Sequence, residues 1–413
     1  MSPAKRRTYG TGGITQRPDG LWVGRVYTGR WTAGDPPQRE RLTRSGKTRA
    51  IVEGKLRALT REISDKGAPR PGLARATVKT YSDEWLPRHA RKVRPTTYTT
   101  DAGAMRKWIV PTLGHRRLSD LEPHDLRALD AAITAPDPPR YPTGRSSTTA
   151  LHAHKLLERM LRAARVDGHQ VDERLFDVER PSKARNDRTA MTVDELLRVL
   201  EVVGKRADRS RWLAAILTGG RQAETLGLTW ASLDLDAKRL DVSWQLQPLP
   251  YLVKRDPSSG FRLPDNFEAR HLVGALHLTR PKTAAGQRVI PVVHWLGEAL
   301  AEARERWTPN PWDLVWTDTL ESGEPRPIRD DVDRARWHEI QAEAEVAHPS
   351  GRPYHVHETR HSMVSMLLAD GVDRSVIEAI VGQATLVEAY VHVPVEVAAA
   401  ALDRFAGRLQ LGQ

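Results

Sequence analysis

The chain has 413 residues, too many for one hydrophobic core, because cores stop growing near about 250 residues and longer chains divide into domains. It contains no cysteine, which excludes disulfides, thiolate nucleophiles and cysteine-ligated zinc, fits a reducing cytosol, and leaves any metal to His, Asp or Glu. The formal charge is +12. The basic N-terminus is followed by no apolar signal core, and no stretch reaches the about 18 apolar residues of a membrane span, so a soluble, cytoplasmic protein is expected.

The charge is unevenly spread. Residues 1–72 carry 16 basic and 6 acidic groups, residues 73–185 carry 21 and 14, and residues 186–413 carry 27 and 32. A basic front half fits a polyanionic partner, since Lys and Arg that neutralise phosphates supply most non-specific nucleic-acid affinity.

In chain order, GLWVGRVYTGR is rich in Trp, Val and Tyr between Gly-containing turns and predicts strands. TRAIVEGKLRALTREIS then predicts a helix with Ile51, Val52, Leu56, Leu59 and Ile63 on one face. KGAPRPG at 66–72 predicts a linker. From 74 to 185 the pattern turns helical: Val78, Tyr81 and Trp85 share a face, Pro95 suits a first helical position, and STTALHAHKLLERMLRAAR is amphipathic beyond a loop at 135–144. PSKARND at 181–187 is the next hinge. The remainder mixes helices such as MTVDELLRVLEVV with strands at RLDVSWQLQ and ARHLVGALHLT; residues 249–266 form a long polar insertion without a motif. The expected fold class is α+β and multidomain, divided at 1–72, 73–185 and 186–413: a small β-sheet-plus-helix module, an all-helical domain, and a mainly helical domain with small β-sheets.

Four groups in the last 200 residues carry chemistry. In ILTGGRQAETLGLTW, Gly219 and Gly220 end an apolar run, so that Arg221 emerges at a helix start beside exposed amides, with Glu224 one turn on; this suits a phosphate, although a lone Arg–Glu pair more often braces a fold. In RPKTAAGQRVIPV two strand-like runs flank a turn, placing Lys282 at a hairpin tip, where an ammonium suits protonation of a leaving alkoxide. YHVHETRHSMVSMLLADGV packs His355, His357, Arg360 and His361 at a helix start, pairing a proton-exchanging imidazole with an oxyanion-clamping guanidinium. Tyr390, the last tyrosine, becomes a nucleophile where cations lower its pKa. HETRH also spells the HExxH zinc signature, with His357 and His361 as ligands, Glu358 as base and Glu378 as a distant third ligand.

Taken in order, TGGRQAETLGLTW, RPKTAAGQRVIPV, HETRHSMVSMLLADGV and AYVHV resemble the conserved boxes of tyrosine recombinases of the phage integrase kind. Residues 8–65 resemble that family's arm-type DNA-binding module and residues 76–180 its helical core-binding domain. The resemblance implies a site-specific recombinase that integrates, and also excises, a phage or mobile element. Arg221 and Arg360 would hold the scissile phosphate, Tyr390 attack phosphorus, Lys282 protonate the departing 5′ oxygen, and His357 assist at the tyrosine, with Glu224 and His361 supporting. No cofactor or metal is implied. The implied partners are double-stranded DNA attachment sites of core and arm type, three further copies in a synaptic tetramer, and an excisionase or DNA-bending host factor. One position departs: Gln383 stands where the family usually has histidine, and an amide donates a hydrogen bond but carries no proton. The gap to Tyr390 is also short, which leaves open delivery of the tyrosine in cis or in trans. The apolar tail PVEVAAAALDRFAGRLQ is expected to dock on a neighbouring subunit. Two other readings remain, a DNA-binding regulator or inactive relative and the zinc metallopeptidase.

Overall fold

A computed structural model describes residues 13–31, 37–66, 73, 75–185, 187–383 and 393–409 of the chain. Its mixture of helices and small sheets matches the expected α+β, multidomain class. The chain divides into two compact units, residues 1–185 with 263–265, and residues 186–262 with 266–413. Among the described residues no helix is long and apolar enough to cross a membrane.

The first unit holds two separate apolar clusters. In one, strands β1 (Ile14–Gln16), β2 (Trp22–Trp31) and β3 (Arg39–Gly46) form an antiparallel sheet backed by helix α1 (Arg49–Lys66). Val52, Leu56 and Leu59 of α1 pack on Val26, with Ile63 beside them. Ile51, expected on that face, is 47% exposed. The buried residues step by four, three and four positions from Val52, and Ile51 stands about 100° off that stripe. Gly24 is required for the close approach: a Cβ there would lie 2.5 Å from the Leu56 side chain.

The other cluster is helical, from α2 (Val78–Ala90), α3 (Pro95–Ala104), a π turn at Met105–Ile109, α4 (Val110–Leu113), α5 (Pro123–Thr134) and α6 (Ser147–Val166). Val78, Tyr81 and Trp85 are buried. Pro95 begins α3, where its missing N–H costs nothing.

The second unit has one core. Helices α7 (Val193–Gly204), α8 (Arg209–Thr218) and the short α9 (Gln222–Leu226) lead into β4 (Leu233–Asp234), β5 (Arg239–Asp241) and β6 (Gln245–Pro248). Then come β7 (Ala269–Val273), β8 (Leu276–Thr279), β9 (Val289–Pro291), α10 (His294–Glu305), β10 (Thr317–Thr319), β11 (Pro325–Pro327), α11 (Asp330–Glu343), α12 (Val356–Ala369), α13 (Arg374–Val381) and α14 (Val395–Arg408). From Ser210 to Thr218 helix α8 is buried on every side, the mark of a central helix.

One expectation is corrected here. The runs flanking Lys282 do not pair with each other: β8 lies in a sheet of order β6-β8-β7, and β9 in one of order β4-β5-β9. Lys282 therefore sits on a connection between two sheets and not at a hairpin tip. Helix α14 places Ala398, Ala401, Leu402, Phe405 and Ala406 in the core of the second unit. The insertion at 249–266 is ordered by an aromatic cluster, with Tyr251 and Phe261 stacked at 5.1 Å and Phe261 edge-on to His277 at 4.2 Å.

Candidate active site

Arg221 is positioned by the end of the central helix. Gly219 closes α8 in the left-handed region at φ 56°, and a Cβ there would meet the Met363 side chain at 3.0 Å. Gly220 follows, its N–H donating to Thr218 Oγ1 at 3.1 Å, and Arg221 becomes the N-cap of α9. Its backbone N–H is not exposed, contrary to expectation, but donates to Glu224 Oε2 at 3.0 Å, while its Nη1 donates to Glu224 Oε1 at 2.5 Å.

Glu224 is fully buried and serves two cations, since Arg288 Nη2 also donates to its Oε2 at 3.0 Å. Burial pushes its pKa up, but Arg288, the backbone N–H of Arg221 and the Arg221 guanidinium outweigh this and hold it below the usual carboxylate value.

Arg360, on the second turn of α12, is 4% exposed. Its Nη1 donates to the Gly219 carbonyl at 3.0 Å; its Nη2 is buried and has no hydrogen-bond partner among the described residues. Burial, with Arg221 and Arg288 nearby, pushes its pKa down to about 9, still protonated at neutral pH. Two guanidiniums thus share one carboxylate, with a third, Arg360, within electrostatic reach of it. An enclosure with surplus positive charge and an unspent donor is suited to bind an oxyanion.

His357 and His361, one turn apart on α12, meet edge to face with ring centroids 5.0 Å apart. Burial, then His361, Arg188, Arg360 and Arg221, push the His357 pKa down to about 4, so its imidazole is neutral at pH 7. His361 is lowered by burial and by Arg188. Arg188, missed in the sequence, belongs to the segment after the hinge at 181–187. That segment is anchored by the Thr189 N–H donating to Glu358 Oε1 at 3.1 Å and the Met191 N–H donating to Ser362 Oγ at 2.8 Å. Neither a spacing nor a motif marks it.

The zinc reading does not fit these surroundings. Glu358, its required base, is fully buried and accepts from Arg352 Nη1 and Nη2, at 2.8 and 2.9 Å, and from the N–H groups of His355 and Thr189. Burial pushes its pKa up, but these donors bring it to about 2, and none of its lone pairs is left to activate a water. The His357 ring faces guanidiniums that repel a dication, and the Glu378 carboxylate accepts from Arg374 at 2.9 Å.

The structure gathers Arg221, Glu224, His357, Arg360 and His361. Lys282 is exposed on its loop and forms no ion pair among the described residues. Gln383 is exposed at the end of α13, its backbone N–H donating to the Glu378 carbonyl at 3.0 Å after Gly382, which has φ 66°. Tyr390 lies outside the described residues.

The chain is similar to known integrases. Residues 77–129 match the N-terminal SAM-like domain of phage integrases. A protein of Saccharopolyspora erythraea named integrase is 25% identical over 426 aligned residues, covering 91% of each chain. Among solved structures, the Tn1549 transposon integrase in complex with transposon right end DNA has a TM-score of 0.57 at 18% identity, covering 80% of this chain and 100% of that one. A lambda integrase tetramer bound to a Holliday junction has a TM-score of 0.52 at 13% identity, covering 95% and 100%. With the four boxes in order and the arginines of two of them brought together, the chain is similar, over most of its length, to integrases of the tyrosine recombinase kind.

Proposed function

We propose that this protein cuts and rejoins DNA at specific attachment sites through a 3′-phosphotyrosyl intermediate on Tyr390, integrating and excising a phage or mobile element. The observation that carries the reading is the buried Arg360 Nη2, without a hydrogen-bond partner among the described residues, beside Arg221 and Arg288, which share the single carboxylate of Glu224. A scissile phosphate supplies the missing negative charge.

In this mechanism Arg221 and Arg360 hold the nonbridging oxygens. The Tyr390 phenol oxygen bonds to phosphorus, giving up its proton with help from the neutral His357 imidazole, and the bond to the 5′ oxygen breaks. Lys282 donates a proton to that leaving oxygen. Attack by a 5′ hydroxyl of a second strand reverses the step with Tyr390 as leaving group, so neither a nucleotide nor a metal enters the balance. His357 becomes a stronger base once DNA is bound, because the phosphate offsets the cations that depress it. Gln383 acts as a hydrogen-bond donor only.

The partners are double-stranded DNA of core and arm type, further copies of the chain forming a tetramer on paired sites, and an excisionase or DNA-bending protein that sets direction. Residues 1–72 take the arm site: the solvent face of the β1-β2-β3 sheet presents Arg25, Tyr27, Arg39, Arg41 and Thr43, donors suited to phosphates and base edges. Residues 73–185 take the core site, and residues 186–413 cut. The protein works in the bacterial cytosol.

The test is to mix the purified full chain, in EDTA, with DNA from the junctions of its own element and to run a denaturing gel. A chelator-resistant protein–DNA adduct that disappears in Tyr390→Phe is the expected result. Tight binding without an adduct would leave the chain as a DNA-binding relative that does not cut.

A further inference from the structure

Arg288 was not singled out by any motif, yet its side chain joins three separate parts of the site. It immediately precedes β9, where its carbonyl accepts from the Val242 N–H at 2.8 Å and so fixes its backbone. Its guanidinium is 6% exposed, and each nitrogen is committed in a different direction. Nη2 donates to Glu224 Oε2 at 3.0 Å, and thereby shares with Arg221 the carboxylate that orients it. Nη1 donates to the Gly286 carbonyl at 3.1 Å, in the short turn that follows Lys282. Nε donates to the Ile380 carbonyl at 2.7 Å, in the last turn of α13 before Gln383. Gly382 closes over the same group: a Cβ there would lie 2.6 Å from Arg288 Nη1 and 2.8 Å from the Ala285 carbonyl.

Burial of a guanidinium is a poor way to gain stability, since a well-packed apolar side chain often does as well as a buried ion pair. What the planar fork supplies is fixed angles between its donors. The geometry points to Arg288 as the positioning residue of the site, setting the Lys282 turn and the end of α13 in register with Glu224 and Arg221 while touching no reacting atom. This inference rests on the proposed role of Lys282 as donor to the leaving oxygen, and the experiment separates the two.

The experiment is a double-mutant cycle on single-turnover cleavage by the full chain, using Lys282→Ala, Arg288→Met and the double variant. Each is assayed on attachment-site DNA and on the same DNA with sulfur replacing the bridging 5′ oxygen. In the sulfur substrate the P–S bond breaks and the thiolate leaves carrying the electron pair without needing a proton.

On oxygen DNA, Arg288→Met is expected to cleave ~10²-fold more slowly, the lower end of what a misplaced general acid costs. Its affinity for DNA should be unchanged, and the double variant no slower than the slower single variant. Sulfur should restore most of the rate to both single variants; on oxygen DNA Arg288→Lys, which keeps the charge but not the three directions, should be slow as well.

Multiplying penalties in the cycle, or a wild-type rate for Arg288→Met, would overturn the inference. Rescue of Lys282→Ala but not of Arg288→Met would overturn it too. Failure of sulfur to rescue Lys282→Ala would instead remove Lys282 from its proposed role, and the cycle alone then decides for Arg288. Should Arg288→Met not fold, Arg288→Lys takes its place in the cycle with the same criteria.

Discussion

Arg360 Nη1 donates to the Gly219 carbonyl at 3.0 Å, tying the histidine-containing box on α12 to the turn that presents Arg221. One nitrogen fixes the guanidinium, and Nη2, which has no hydrogen-bond partner among the described residues, is the one proposed to bind phosphate. Arg360→Lys keeps a charge but cannot do both. Its cleavage rate should fall ~10²- to 10³-fold, the usual cost of losing one oxyanion donor, while a gel-shift titration shows a much smaller change in Kd.

Glu224 is the only carboxylate bonded to Arg221 and Arg288 among the described residues. Glu224→Leu strands a buried guanidinium, and removing one partner of a buried pair costs about 3–5 kcal/mol. Urea unfolding should show a loss of that size. Pairing Glu224→Leu with Arg288→Met should recover part of the stability but none of the cleavage, since Arg221 is then unsupported.

Gln383 is exposed and, among the described residues, bonds the fold only through its backbone N–H. Gln383→Ala should therefore slow cleavage less than Arg221→Ala does; an equal or larger loss in the adduct assay would contradict its role as a secondary donor.

The pH dependence follows from His357. Its folded pKa, about 4, lies below the ordinary 6.5, with burial, His361, Arg188, Arg360 and Arg221 all acting downward. A depressed value means that the unfolded chain binds the proton first as pH falls. The stability linked to His357 is therefore complete above about 6.5 and is lost as pH drops through about 4. His357→Gln should flatten the unfolding free energy measured over that window. In an NMR titration the His357 resonance should move to a higher pKa when attachment-site DNA is added.

Phe405 of α14 is fully buried in the core of its own unit. Phe405→Ala should cost about 3–5 kcal/mol, read as a lower Tm in the absence of DNA. Deleting residues 395–413 should likewise unfold the second unit. A truncated chain that melts normally and fails only in tetramer assembly would support the neighbour-docking expectation.

Much of this protein was legible in one dimension. Helical periodicity marks α6 and α7, whose apolar faces are continuous in sequence. Short motifs mark Arg221, His357 and Arg360, because each lies beside a helix start or a glycine turn that spacing alone identifies. Burial, by contrast, is set by the partner surface, so Ile51 reads as part of an apolar face yet is exposed. Strand pairing is a long-range choice, so the two runs around Lys282 read as a hairpin although each found another sheet. The largest gap is Arg288. Its three bonds reach Glu224, Gly286 and Ile380, 64, 2 and 92 positions away. The sequence by itself determined which chemistry-bearing side chains the chain carries, and in what order, because those rest on residue identity and local spacing. Which guanidiniums share a carboxylate, and which donor is left without a partner among the described residues, only the tertiary structure decided, because those depend on where distant segments meet and on the loss of water around them.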